Sequence, residues 1–125
     1  MDEINVVKYI GKPYIPRVRD GSGYDCYSLV LAIEKDLGHN LPDMQYDTTS
    51  RAGRKNSVEI GKKEPYFEKL EKPLAGCIVI LYYKDIPQHI GVYIGNGKVI
   101  HATADRGVVI DELRQLNVEG FYKIK

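Results

Sequence analysis

The sequence predicts an α+β fold from three observations. One amphipathic segment runs from Cys26 to Leu37, a series of β-forming segments begins at Gly76, and the spacing of apolar residues changes between them from three- and four-residue steps to alternation. At 125 residues and 43% hydrophobic, the chain is expected to bury one core and to form a single domain over residues 1–125 without disulfide or metal support.

The first fourteen residues place Tyr9, Ile10 and Tyr14 around Gly11 and Pro13, which predicts a short helix followed by an extended arm. Beyond them lies the clearest helix. Leu29, Val30, Ile33 and Leu37 form one stripe, with Ser28, Glu34 and Lys35 on the other side. Asp25 is a favoured N-cap and Gly38 a favoured stop, so the helix should span Cys26 to Leu37 and carry Cys26 in its first turn.

Pro42 to Lys63 carries Arg51, Arg54, Lys55, Lys62 and Lys63 among small polar residues and reads as a solvated surface excursion. Glu64 to Leu70, with Pro65 suited to a first turn, predicts a short helix closed by Pro73. Strands are expected at Cys77–Tyr83, His89–Ile94, Lys98–Ala104, Gly107–Ile110 and Gly120–Ile124.

Composition removes several classes of function. With 18 basic and 17 acidic residues the formal charge is +1, so no global field draws the chain to nucleic acid or to a membrane surface. No apolar run approaches membrane-spanning length. The start Met-Asp-Glu-Ile-Asn lacks the basic and apolar regions of a signal peptide, so synthesis in a cytoplasm is expected. Cys, His and His are zinc-ligand types, but neither Cys-x-x-Cys nor His-x-x-x-His occurs, and no metal or cofactor is expected.

Three residues carry the chemistry. A thiol in the first turn of a helix has backbone N–H groups beside it, and an adjacent imidazole makes it a nucleophile. Most lone cysteines are small core residues, and that description suits Cys77, inside an unbroken β-forming run, better than Cys26, which follows Gly-Tyr-Asp at a helix start. His89 and His101 flank the turn Gly95-Asn96-Gly97. A two-residue loop pairing Gly95 with Lys98 would send the two rings to opposite faces. A three-residue loop with Gly97 left-handed pairs Ile94 with Lys98, Val92 with Ile100 and Ile90 with Ala102. That register puts every apolar residue on one face and sets His101 opposite Gly91 and diagonal to His89, at roughly 5 to 8 Å. His89 then serves as acid and base for Cys26, and His101 holds the His89 ring. His39, beside Gly38 at the helix end, is placed to interact with the carbonyl end of the helix dipole and needs no catalytic role.

These residues resemble the NlpC-type cell-wall peptidases, papain-like enzymes marked by a Tyr, an Asp-Cys opening a helix, His-x-Gly-x-Tyr-x-Gly and a further His. The matching residues are Tyr14, Asp25-Cys26, His89-Ile-Gly-Val-Tyr-Ile-Gly95 and Ile100-His101-Ala102; Tyr14 precedes Cys26 by 12 residues and His101 follows His89 by 12. The resemblance implies a papain-like fold, with the helix bearing Cys26 packed on a five- or six-stranded antiparallel sheet. It also implies a cysteine peptidase that hydrolyses amide bonds in peptidoglycan stem peptides through Cys26, His89 and His101. Tyr14 would bind the oxyanion or position substrate, and Asp25 and Tyr27 would contact the stem peptide. The runs Asp-Cys-Tyr-Ser-Leu-Val and Leu-Gly-His-Asn-Leu-Pro are similar to the branch carried by tailed phages and prophages, which implies other tail-tip proteins as partners. Three segments depart from the family pattern. Pro16-Arg17-Val18 stands where aromatic-Gly-Gly is usual, Tyr27-Ser28 where Ser-Gly is usual, and Gly76-Cys77 where Gly-Asp is usual. Two further readings remain open: a structural tail component that does not use its thiol, and a thiol hydrolase or acyltransferase acting on another amide or ester.

Overall fold

The structure, a computed structural model, describes residues 4–41, 64, 67–83 and 86–124. A 3₁₀ turn at Val7–Tyr9 leads through an irregular arm to α1, Cys26–Asp36. Six strands follow: β1 (Phe67–Leu70), β2 (Ile78–Tyr83), β3 (Ile86–Gly95), β4 (Lys98–Thr103), β5 (Gly107–Glu112) and β6 (Val118–Ile124). They form one antiparallel sheet in the order β1-β6-β2-β3-β4-β5. The expected α+β architecture, a helix packed on an antiparallel sheet, is the one observed.

Local chemistry fixes both ends of α1. Asp25 is extended at φ −95° and ψ −175°, and its Oδ1 accepts from the Ser28 N–H at 2.8 Å. In return, Ser28 Oγ accepts from the Asp25 N–H at 2.9 Å, so a serine does the work usually given to glutamate in a capping box. At the other end Gly38 takes φ +90°, its N–H donates to the Lys35 carbonyl, and the His39 N–H donates to the Glu34 carbonyl. This is a complete Schellman motif. His39 Nδ1 also lies 2.9 Å from Glu34 Oε1, a more specific partner than the helix dipole alone.

The period of two along the strands divides the core. Ile78, Ile80, Ile90, Val92, Ile94, Ile100, Ala102 and Val108 are buried with Leu29, Val30 and Ile33 of α1. Each such aliphatic side chain contributes about 1.5–3 kcal/mol when fully buried. Val79, Leu81 and Val99 occupy the intervening positions and form a second cluster with Tyr93, Leu113, Leu116, Val118 and Phe121.

Three expectations need correction. Glu64 to Leu70 does not form a helix: Phe67–Leu70 is β1, paired with Ile124 back to Phe121. Sheet pairing distant in sequence outweighs the helix-start chemistry of a proline, and Pro65 itself lies outside the described residues. The β3–β4 loop has two residues, not three. Gly95 pairs with Lys98, and Asn96 (φ 52°) and Gly97 (φ 73°) are both left-handed, as the twist-matching hairpin turn requires. A bulge between Tyr93 and Gly95 absorbs the extra residue and restores the pairing of Val92 with Ile100. Both histidines therefore keep the same face although the loop differs. Several strand ends also differ, with β2 beginning at Ile78, β3 running from Ile86 to Gly95, and β6 starting at Val118. The stretch from Pro42 to Lys63, read as a basic excursion, lies outside the described residues.

Two substitutions test this account. A Cβ on Gly91 would sit 2.8 Å from the Ile100 carbonyl oxygen and 3.0 Å from His101 Cβ. Gly91→Ala is therefore expected to cost about 1–3 kcal/mol in urea denaturation, and an unchanged midpoint would refute the close approach. Asp25→Ala removes the cap of α1 and should cost about 1–2 kcal/mol in the same measurement.

Candidate active site

Cys26 is the first residue of α1, buried at 1% exposure within the cluster beneath the helix. Tyr14, half-buried in the arm, packs against that same cluster. The arm is held where the sequence departs from the family pattern. Arg17 has φ 63°, a left-handed conformation costing a non-glycine residue about 1–2 kcal/mol. Its N–H donates to Asp25 Oδ2 at 2.8 Å, which offsets that cost. Asp25, 1% exposed, thus joins the arm to the helix: one carboxylate oxygen serves Ser28 and the other Arg17. The neighbouring Tyr27 is buried at 6% exposure in the α1-side cluster.

The hairpin brings the two histidines into direct contact. His89 Nε2 lies 2.8 Å from His101 Nδ1, with ring centroids 5.0 Å apart and planes tilted by 60°. His89 is half-buried and His101 is 4% exposed. Gly91 provides the space, because any side chain there would meet His101. α1 packs on β3 and β4, the two strands that carry these rings.

Sequence reasoning missed two further residues. His101 Nε2 lies 2.7 Å from Asp111 Oδ2, and Arg106 grips the same carboxylate with Nη1 at 3.1 Å from Oδ1 and Nη2 at 2.8 Å from Oδ2. Arg106 is the last residue of the turn into β5, and its N–H donates to Thr103 Oγ1. The Arg106 guanidinium, with His101 adding to it against the effect of burial, holds the Asp111 carboxyl down at about 2. Burial pushes the His101 imidazole below its ordinary value; Asp111 opposes that shift and the charge on Arg106 adds to it. Burial thus favours the neutral form of His101.

Cys77 has the opposite chemistry to an activated thiol. It is 3% exposed, and burial pushes its thiol up to about 11, with the Leu74 backbone hydrogen bond opposing and the charge of Glu34 reinforcing the shift. Its assignment to the core agrees with this environment. Among the described residues no group of three or more His, Cys, Asp or Glu side chains could hold a metal ion.

Comparison with known proteins agrees with the fold. The chain is 31% identical over 125 residues to a gamma-D-glutamyl-L-lysine dipeptidyl-peptidase of Bacillus cereus, covering 96% of this chain and 33% of that protein. It is 29% identical over 106 residues to a probable endopeptidase p60 of Listeria grayi, covering 85% of this chain and 18% of that protein. The chain thus spans a third or less of the length of either relative. Among solved structures, the NlpC/p60 domain of the peptidoglycan hydrolase SagA superposes with a TM-score of 0.65 at 18% identity, covering 94% of this chain and 92% of that one. The family model described as NlpC/P60 matches residues 11–123, and with nearly the whole chain inside it, the chain belongs to the NlpC/P60 family.

Proposed function

We propose that the chain is a cysteine peptidase that hydrolyses amide bonds in peptidoglycan stem peptides, with Cys26 as nucleophile, His89 as general acid and base, and His101 orienting His89. The observation that carries this reading is the 2.8 Å contact between His89 Nε2 and His101 Nδ1 in a chain whose α1 opens on Cys26. A ring held on one nitrogen presents the other in a fixed direction, as a base needs.

In the reaction, His89 takes the thiol proton and the sulfur of Cys26 attacks the amide carbonyl carbon. Collapse of the tetrahedral adduct breaks the C–N bond, the leaving nitrogen receives the proton from His89, and a thioester remains. Water, deprotonated by His89, then cleaves the thioester and restores the thiol. The hydroxyl of Tyr14 serves the developing oxyanion. Asp25 and Tyr27, the residues on either side of Cys26, contact the stem peptide. The name of the Bacillus cereus relative, a gamma-D-glutamyl-L-lysine dipeptidyl-peptidase, supports a bond made by the γ-carboxyl of D-glutamate to a diamino acid. The Asp-Cys-Tyr-Ser-Leu-Val and Leu-Gly-His-Asn-Leu-Pro runs support a phage tail-tip setting, with other tail proteins as partners.

One observation favours a second reading. Cys26 is 1% exposed, which a structural tail component that never uses the thiol would also show. Purified peptidoglycan incubated with wild type, Cys26→Ala and Cys77→Ala separates the two when new amino termini are followed by mass spectrometry. Wild type and Cys77→Ala should release fragments, and Cys26→Ala should fall by at least roughly 10³-fold. Release that persists in Cys26→Ala, or a wild type that releases nothing, overturns the peptidase reading.

A further inference from the structure

The hydrogen-bond chain from Arg106 to His89 determines where its protons lie. Asp111 is a carboxylate and can only accept, so the 2.7 Å contact with His101 Nε2 requires the proton on that nitrogen. In a neutral ring His101 Nδ1 is then the acceptor. The 2.8 Å contact to His89 must accordingly be donated by His89 Nε2–H. A neutral His89 carrying its proton on Nε2 has its lone pair on Nδ1, and only that nitrogen can accept a proton from a thiol.

This arrangement fails if His101 takes a second proton. Both of its nitrogens would then donate, the Nδ1 proton would meet the Nε2 proton of His89, and His89 would have to move its own proton to Nδ1. The base would lose its lone pair. An isolated aspartate beside His101 invites that protonation, because an anion stabilises an imidazolium. Arg106 counters it in two ways: the fork holds both carboxylate oxygens in place, and its positive charge offsets that of Asp111. Among the described residues, the titratable and charged groups facing His101 are His89 from β3, Asp111 from β5 and Arg106 from the β4–β5 turn.

We infer that Asp111 and Arg106 are a positioning pair: Asp111 fixes the proton of His101 on Nε2, Arg106 holds that carboxylate and offsets its charge, and through His101 they leave Nδ1 of His89 as the proton acceptor of the site. The catalytic consequence rests on the peptidase reading given above, whereas the proton placement does not.

The test uses two readouts on the full chain. The first is the acid limb of the pH profile for release of peptidoglycan fragments, which reports proton uptake by the coupled imidazole pair. Arg106→Gln removes an exposed charge and should move that limb to higher pH by about 0.5 unit or more. Arg106→Lys keeps the charge and should leave the limb near its wild-type position. Asp111→Asn removes the anion and should move the limb to lower pH, while lowering the rate about 10²-fold through lost ring positioning. A pair that merely stabilised the turn would produce no opposed shifts. The second readout is the ¹⁵N spectrum of histidine-labelled wild type at pH 8, which should show His101 protonated on Nε2 and His89 on Nε2. A proton on His101 Nδ1, or an acid limb that stays fixed in both Arg106→Gln and Asp111→Asn, overturns the inference. If the spectrum is as stated while wild type releases nothing from peptidoglycan, the positioning pair stands and the peptidase reading fails.

Discussion

The hydrogen bond between His89 and His101 depends on a parity, and most of the described structure serves to keep that parity. Side chains alternate along a strand, so a slip of one residue between β3 and β4 would move His101 to the face that α1 covers and take Ile100 out of it. The pairing of Val92 with Ile100 prevents this. It survives a tight Asn96-Gly97 turn only because the bulge before Gly95, at φ 102°, takes up one residue. Gly91 then leaves the volume that the two rings share.

At the helix end, one carboxylate combines two tasks that are usually separate. Asp25 caps α1 and also receives the Arg17 N–H, so the arm bearing Tyr14 and the helix bearing Cys26 are tied to the same buried group. Arg17 shows how a departure from the family pattern is accommodated. Where glycine is usual, an arginine adopts the left-handed conformation itself, and the bond to Asp25 helps to hold it there. The side chain of Arg17 is exposed.

How much was legible follows from the range of each signal. α1 was readable because its periodicity, cap and stop are local, and the apolar row on β3 and β4 was readable because burial on one face selects the register. The meeting of His89 and His101 followed from that row, although the loop that produces it did not: a two-residue turn with a bulge and a three-residue turn leave the same apolar residues on the same face. β1 was read as helix because Phe67–Leu70 is stabilised by a partner more than fifty residues away, on β6. Asp111 and Arg106 belong to no spaced motif. Asp111 pairs with Val99 and reaches His101 diagonally, so its contact exists only once the β4–β5 register is known. The available hint was a carboxylate placed directly after the apolar run Val108-Val109-Ile110.

The contact at the centre of this account can be observed without substrate. In a ¹⁵N-histidine-labelled sample, a through-hydrogen-bond coupling experiment should show a cross-peak joining His89 Nε2 to His101 Nδ1 at neutral pH, and Gly91→Ala should weaken or abolish it. Two rings that show no coupling and titrate independently of each other would contradict it, and the base proposed for Cys26 would then have nothing to hold it in place.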